Sequence, residues 1–581
     1  MLSKVNSYFL WILLILLTVI LLSWPTHYQY KYEAVQAVSS LENPILFGIV
    51  LSFWTSGLLV IAKREKPLCY ILLLCIFSMT YIAFWIINCP YICGGSFDPG
   101  GIGYSKYILE HAHITIGDPK WGYFEFPLNS IFGAILSQIT DLAIPSASKI
   151  FLVFASILLA LSAYIFFFNS LNNPWKSFLG VIVAMMGNVQ MILTLNFFRP
   201  GTMGLLYVAS ILALLGLRTV RRGRTSAEVV ALVVMALSVG MTHFISSVTF
   251  LFIFLGMYLY QQLAKRSSIS FNMIILVAVA YLTWWFYISI FTTQFVLDRA
   301  ITLLSEPAEL SLFFALRKGE LLLTEQVPIW ATIVRVLWLI VLYLLPIFVA
   351  IQLYINSFLF KKKVTLEESL GGLFGLLLLS GIMTLLDIGA NRSIQQFLLF
   401  STFFTPPILI SFLSDDQAKY LNRIGKRVFI FPLILIVVLS FPTFLAHNPS
   451  VNTQIFYERE HSTLTFIQAN CYDGVNLFSD ADTGLLIKYY LPEVNYNVLP
   501  YAPDYVKDEV EFLNKLPQYM KAFEDSGTDS LFVYSPRITH RSYIMFGMPE
   551  DHPIWREVLQ ILEYKNDKIY NNGFIWVFAN E

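Results

Sequence analysis

The chain has 581 residues, of which 57% are hydrophobic and 13% charged, and a mean hydropathy of +0.65; such a chain buries most of its length in lipid rather than in a soluble core. Lys plus Arg and Asp plus Glu each number 38. The resulting zero formal net charge argues against a nucleic-acid-binding protein, because no basic excess exists to neutralise phosphates.

In chain order, the apolar runs predict a polytopic α-helical membrane protein of about thirteen spans. They lie near 6–24, 44–62, 67–88, 147–168, 177–195, 202–217, 227–242, 245–263, 271–291, 329–356, 369–386, 394–413 and 428–446. The first lacks a small-residue cleavage site and continues through Trp24-Pro25, so it reads as a membrane anchor rather than a signal peptide. The transmembrane region is expected over 1–446, with large loops at 89–146 and 292–328, and a separate α/β domain over 447–581.

Orientation follows from the basic loops. Lys63 to Lys66, Arg218 to Arg224, Lys265-Arg266, Lys361 to Lys363 and Lys419 to Arg427 fall on one side of a thirteen-span layout, and the positive-inside bias makes that side cytoplasmic. The N-terminus is then expected in the cytoplasm. Both large loops and everything after about 447 are expected outside the cell membrane. Five cysteines are too few for a disulfide framework. Cys69 and Cys75 fall within a span; Cys89, Cys93 and Cys471 fall on the outer side, where a Cys89–Cys93 bridge stays open as an alternative to free thiols.

The loop over 89–146 is the polar exception in an apolar chain. It opens with Gly94-Gly95-Ser96-Phe97-Asp98-Pro99-Gly100-Gly101, continues as a short helical run through Glu110, and ends with Phe124-Glu125-Phe126-Pro127. After that, Leu128, Ile131, Phe132, Ile135 and Ile139 recur at spacings of three and four, with Asn129, Ser130, Gln138 and Asp141 off the stripe. That pattern predicts a helix lying flat in the membrane interface. The 292–328 loop holds Arg299, Arg317 and Lys318 around a break at Pro307 and reads as a second interfacial excursion. Arg199-Pro200-Gly201, Thr242-His243 and Asp387 to Ser393, which includes Arg392, bring further ionisable groups to the outer edge.

After 457 the pattern alternates short strands and helices: strands over 475–479, 497–501 and 531–534, helices from 483 and from about 506, and a hairpin of 568–570 with 574–578 about Asn571-Asn572-Gly573. This alternation predicts the α/β domain. No Walker loop, dinucleotide fingerprint, Cys-x-x-Cys pair or zinc-protease helix occurs, so nucleotide hydrolysis and structural zinc find no support. Asp480-Ala481-Asp482 reads either as a helix cap or as a metal-binding pair. Asp98 likewise reads as a cap ahead of Pro99, or as a carboxylate facing a substrate; a capping position permits both.

The many spans, the acidic first large loop Phe97-Asp98-Pro99-Gly100-Gly101, and Phe126-Pro127 with its interfacial helix resemble integral-membrane glycosyltransferases of the GT-C fold. Thr242-His243, Ser479-Asp480 and Tyr570-Asn571-Asn572-Gly573 look like archaeal and bacterial members. The resemblance implies an inverting transferase that takes a sugar from a polyprenyl-phosphate carrier and passes it to a lipid, glycan or protein acceptor, with Asp98 as general base. Arg199, Arg299, Arg392 and His243, with Glu110 and Glu125, are the substrate-binding candidates; each arginine also reads as an interfacial anchor. No motif calls for a cofactor, and a divalent cation at the phosphate stays open. The chain departs from this group in three ways: two added N-terminal spans, a single Asp in place of the adjacent acidic pair of protein mannosyltransferases, and no Trp-Trp-Asp motif, Trp284-Trp285 being followed by Phe286. The alternatives are a transporter or flippase, for which Arg335 is the main charge embedded in a span, and a non-catalytic scaffold.

Overall fold

A computed structural model of the chain describes residues 2–23, 44–64, 67–87, 92–93, 98–114, 126–187, 200–220, 226–263, 270–290, 293–294, 297, 340–358, 366–385, 390–414, 455–456, 458–470, 475–479, 495–498, 509–527, 530–534, 553–571 and 576–580. The apolar runs fold as helices: α1 (Leu2–Leu22), α2 (Pro44–Arg64), α3 (Pro67–Ile87), α6 (Ile144–Leu171), α7 (Pro174–Gly187), α8 (Pro200–Val220), α9 (Ser226–Thr242), α10 (Phe244–Leu263), α11 (Phe271–Tyr287), α12 (Leu345–Phe358), α13 (Glu367–Leu385), α14 (Ala390–Ser401) and α15 (Thr405–Ser414). Between α3 and α6 lie strand β1 (Ile92–Cys93) and helices α4 (Asp98–His111) and α5 (Leu128–Thr140). Proline opens α2, α3, α7 and α8, the first-turn position where a missing N–H costs no hydrogen bond.

The chain is a membrane protein. Large apolar side chains stay exposed on its helices, among them Phe53 at 66%, Phe154 at 59% and Phe348 at 70%, and water would penalise such patches while hydrocarbon does not. Among the described residues, the stretches Leu46–Lys63, Ile144–Leu171 and Phe244–Leu263 are long and apolar enough to cross a bilayer, with eight shorter apolar helices beside them. The expected count of thirteen exceeds this, and the span at 428–446 and most of the 292–328 loop lie outside the described residues.

Two expected spans differ in form. The run over 394–413 is two helices, α14 and α15, parted at Thr402 to Phe404. Pro406 and Pro407 are the cause: neither donates an N–H, and their rings bar the preceding turn from a straight α-helix. The break is closed by tight bonds from Phe403 N to Phe400 O at 3.1 Å and from Phe404 N to Ser401 O at 2.8 Å. Within 329–356, a π-helical turn over Ile340–Leu344 precedes α12, whose second residue is Pro346.

The tightest helix pair is α10 with α13. A Cβ placed on Gly256 would overlap the backbone of Gly375 and Gly371, and one on Gly375 would overlap Phe252 O and Ile253 Cα. Small residues let two backbones touch where no water-exclusion term drives helices together in lipid. The pairing of Gly371 with Met257 and of Gly375 with Phe252 and Ile253 makes the two helices antiparallel, so the Leu385 end of α13 lies at the Phe244 end of α10.

The remaining elements are β2 (Ile455–Phe456), α16 (Glu458–Asn470), β3 (Asn476–Ser479), β4 (Asn495–Val498), α17 (Glu509–Glu524), β5 (Ser530–Tyr534), α18 (Pro553–Lys565), β6 (Asn566–Asn571) and β7 (Trp576–Asn580). Five strands form one sheet in the order β4-β3-β5-β7-β6, with β3 parallel to β4 and β5, and β7 antiparallel to β5 and β6. Successive side chains alternate between faces. Phe478, Phe532, Tyr534 and Phe578 pack with Leu516, Met520 and Phe523 of α17 and Trp555, Val558 and Leu562 of α18. Leu477, Leu531, Val533 and Val577 pack on the other side with Leu464 and Ile467 of α16. Strand β4 starts at Asn495 rather than at 497. The hairpin also differs from the expected strands 568–570 and 574–578 about Asn571-Asn572-Gly573: Asn571 itself pairs with Trp576, where Trp576 stacks on Tyr534 at 5.6 Å.

Candidate functional site

Strand β1 pairs antiparallel with β2, Ile92 opposite Phe456 and Cys93 opposite Ile455. The beginning of the 89–146 loop is thereby fastened to the segment that enters the sheet region. Asp98 follows five residues after Cys93 and is the first residue of α4, where a carboxylate favours the positive end of the helix dipole. The side chain of Asp98 lies outside the described residues.

Helix α4 packs on α5 and α6, and α5 in turn contacts α6, α8 and α9. Ring contact between Phe132 and Phe151 at 5.1 Å seats α5 over the first turns of α6. Beyond that contact the stripe of α5 is increasingly exposed toward its end: Phe132 is 38% exposed, Ile135 47% and Ile139 77%. Asn129, Ser130, Gly133, Ala134 and Ser137 form its buried face. This inversion, polar and small residues inward and apolar residues outward, suits a helix bordered by lipid.

His243 is the single residue between α9 and α10. Its carbonyl accepts the Ser247 N–H at 3.1 Å, and its Nδ1 lies 2.9 Å from Ser246 Oγ. The first turn of α8 fits against this corner, for a Cβ on Gly204 would meet Ser246 Oγ at 2.7 Å and His243 Cβ at 3.7 Å. Phe244 lies against Trp285 of α11 at 4.7 Å. Because α13 is antiparallel to α10, the Leu385 end of α13 is brought to this same end of the bundle. Helix α14 begins five residues later, with Arg392 its third residue and α10 among its contacts. The antiparallel pairing thus brings the helix that carries Arg392 toward the His243 end of the bundle, and α5 joins the loop to the two helices, α8 and α9, that adjoin His243.

The other candidates fare differently. Glu110 sits in the last turn of α4, about 18 Å from Asp98 at 1.5 Å per residue, and its Oε1 lies 3.7 Å from Lys106 Nζ on the surface. It is not brought to Asp98. Arg199, Arg299 and Glu125 lie outside the described residues, as do the side chain of Arg392 and the pair Asp480 and Asp482.

No family model matches the sequence, and no curated protein does. Solved structures do resemble it. The oligosaccharyltransferase of Archaeoglobus fulgidus, tethered to an acceptor peptide containing the NVT sequon, is 13% identical with a TM-score of 0.49, over 88% of this chain and 74% of that one. The archaeal oligosaccharyltransferase AglB from the same organism, in complex with an inhibitory peptide and a dolichol-phosphate, is 12% identical with a TM-score of 0.49, over 89% and 74%. ArnT from Cupriavidus metallidurans bound to undecaprenyl phosphate is 11% identical with a TM-score of 0.44, over 88% and 98%.

Two groups at this end are not singled out by the sequence pattern. At the tail of α4, Tyr107 stacks on His111 at 4.2 Å and its hydroxyl lies 3.3 Å from His113 Nε2, while His111 Nδ1 lies 3.0 Å from the Tyr107 carbonyl; imidazoles there complement the negative end of the helix. The other is Asn129, fully buried, with neither Nδ2 nor Oδ1 hydrogen-bonded. Leaving a buried amide unpaired costs about 1–3 kcal/mol. Its position off the apolar stripe of α5 is legible in the sequence; its burial is not.

Proposed function

We propose that the chain is a glycosyltransferase that moves a sugar from a polyprenyl-phosphate donor to an acceptor on the extracytoplasmic face of the cell membrane. The observation that carries this reading is the placement of Asp98 at the head of α4, in a loop tied to Ile455 and Phe456 and packed through α5 against the α8 and α9 helices beside His243. A carboxylate at a helix mouth beside the lipid boundary suits a reaction whose donor is dissolved in the bilayer.

In this mechanism Asp98 takes the proton of the acceptor hydroxyl while that oxygen attacks the anomeric carbon from the face opposite the phosphate. The C–O bond to phosphate breaks, its electron pair leaves with the phosphate, and the anomeric configuration inverts. Arg392 and Arg199, with Arg299 and His243 as further candidates, hold the departing charge; a guanidinium engages two oxygens at once and stays protonated throughout. No step needs a metal, and transfer measured with and without chelator decides whether a divalent cation joins the phosphate. The N-terminus is placed in the cytoplasm and the sheet region outside, from the basic loops.

Asp98→Asn tests the reading. Asn caps a helix about as well as Asp, so folding and donor binding are expected to persist. An amide cannot accept the proton, and transfer of labelled sugar by the purified variant should fall by about 100-fold or more. Activity within a few-fold of wild type reduces Asp98 to a helix cap and removes the mechanism.

A further inference from the structure

Asn129 is buried with both polar atoms of its carboxamide unpaired, in the second position of α5. Side chains tilt toward the N-terminus of their helix, which aims this one at the end of α5 that follows Phe126-Pro127. A buried group that keeps an unmet donor and an unmet acceptor is rare, and its persistence calls for a partner that arrives. The chemistry of that partner is set by the amide itself. A phosphate offers only acceptors and would leave Oδ1 unmet, whereas adjacent hydroxyls of a sugar give and take one hydrogen bond each.

We infer that Asn129 binds the sugar of the lipid-linked donor through two of its hydroxyls; this rests on the transferase reading and names a residue that sets which sugar is accepted. Access needs α5 to shift, and its packing allows that. Its outer face carries Ile135 and Ile139, 47% and 77% exposed, with Phe132 resting on Phe151, and its buried face beside Asn129 is built from the small side chains Ser130, Gly133, Ala134 and Ser137. Its far end is fixed: Ser137 Oγ donates to Leu142 O at 2.6 Å, and Asp141 turns the chain in a left-handed conformation at φ 55°. A pivot there moves the Asn129 end most.

The experiment uses the purified full chain with four probes: farnesyl phosphate alone, and farnesyl phosphate carrying glucose, mannose or N-acetylglucosamine. In the wild type, at least one sugar-bearing probe should bind more tightly than the bare phosphate. Asn129→Leu removes both polar atoms at similar volume, so the unliganded protein should melt no lower than wild type. Affinity for the preferred sugar probe should drop about tenfold or more, as for two lost hydrogen bonds, while farnesyl phosphate binds unchanged. Asn129→Ser, smaller and still polar, serves as the second variant if Leu does not fold, and should lose most of the same preference. Unchanged sugar preference in the folded variant overturns the role of Asn129 and leaves the transferase reading standing. Failure of every probe to bind the wild type overturns both.

Discussion

Cys93 stands directly opposite Ile455 in an antiparallel pair of two-residue strands, joining the loop that holds Asp98 to a segment more than 300 positions later in the sequence. Opposed residues of an antiparallel pair have Cα atoms roughly 4.5–5.5 Å apart, within the span of a disulfide.

Ile455→Cys should therefore crosslink to Cys93 under mild oxidation, in a chain whose Cys89 and Cys471 have been changed to Ser. With a protease site inserted at 361–363, the two fragments should run together without reductant and apart with it. Fragments that separate in both lanes would show that the pairing does not form in the membrane.

The orientation drawn from the basic loops has its own check. A cysteine placed at Lys362 should resist an impermeant thiol reagent in intact cells, and one at Asn572 should label. The opposite pattern puts Asp98 on the cytoplasmic side and defeats an extracytoplasmic reaction.

If Arg199 and Arg392 hold the carrier phosphate, replacing either by Ala should weaken binding of a polyprenyl-phosphate analogue by about 1.5–3 kcal/mol, the range for hydrogen bonds to charged groups. Titration of the analogue into each variant measures this. Equal affinity in both variants and wild type transfers the role to Arg299 and His243.

Two glycines of α13 make a matched pair. A Cβ on Gly375 runs into the backbone of α10, whereas one on Gly381 meets nothing within 4 Å. Gly375→Ala should destabilise by about 1–3 kcal/mol, the usual cost of overpacking. Gly381→Ala should be neutral or stabilise by up to about 1 kcal/mol, through helix propensity. Thermal melts of the two in the same detergent decide it; equal shifts would remove the close contact.

What the sequence shows and hides follows from the range of each signal. Apolar runs between Pro and charged residues place α2, α3 and α8 to within a few residues, since both the run and its punctuation are local. Pro406-Pro407 is as visible, yet the predominantly apolar run over 394–413 outweighs it until the carbonyls left without donors are counted. The two-residue strands at Ile92 and Ile455 carry no periodicity at all, and only tertiary pairing defines them. Trp555, Val558 and Leu562 did carry a helical spacing for α18. For α5, the pattern separates Asn129 from the apolar stripe but does not tell which face the protein covers, because lipid and protein interior both accept the apolar side.

The glycine seat between α10 and α13 has a consequence in time. Gly256 and Gly375 are separated by roughly 120 residues of synthesis, and at roughly 5–20 residues per second the first groove stays open for on the order of ten seconds before its partner is made. During that interval α10 offers the bilayer a flat, backbone-lined slot that any small-faced helix fits. Fidelity of assembly then depends on what occupies the slot meanwhile, and a pause in translation between 264 and 366 lengthens the exposure without altering a single residue of the finished protein.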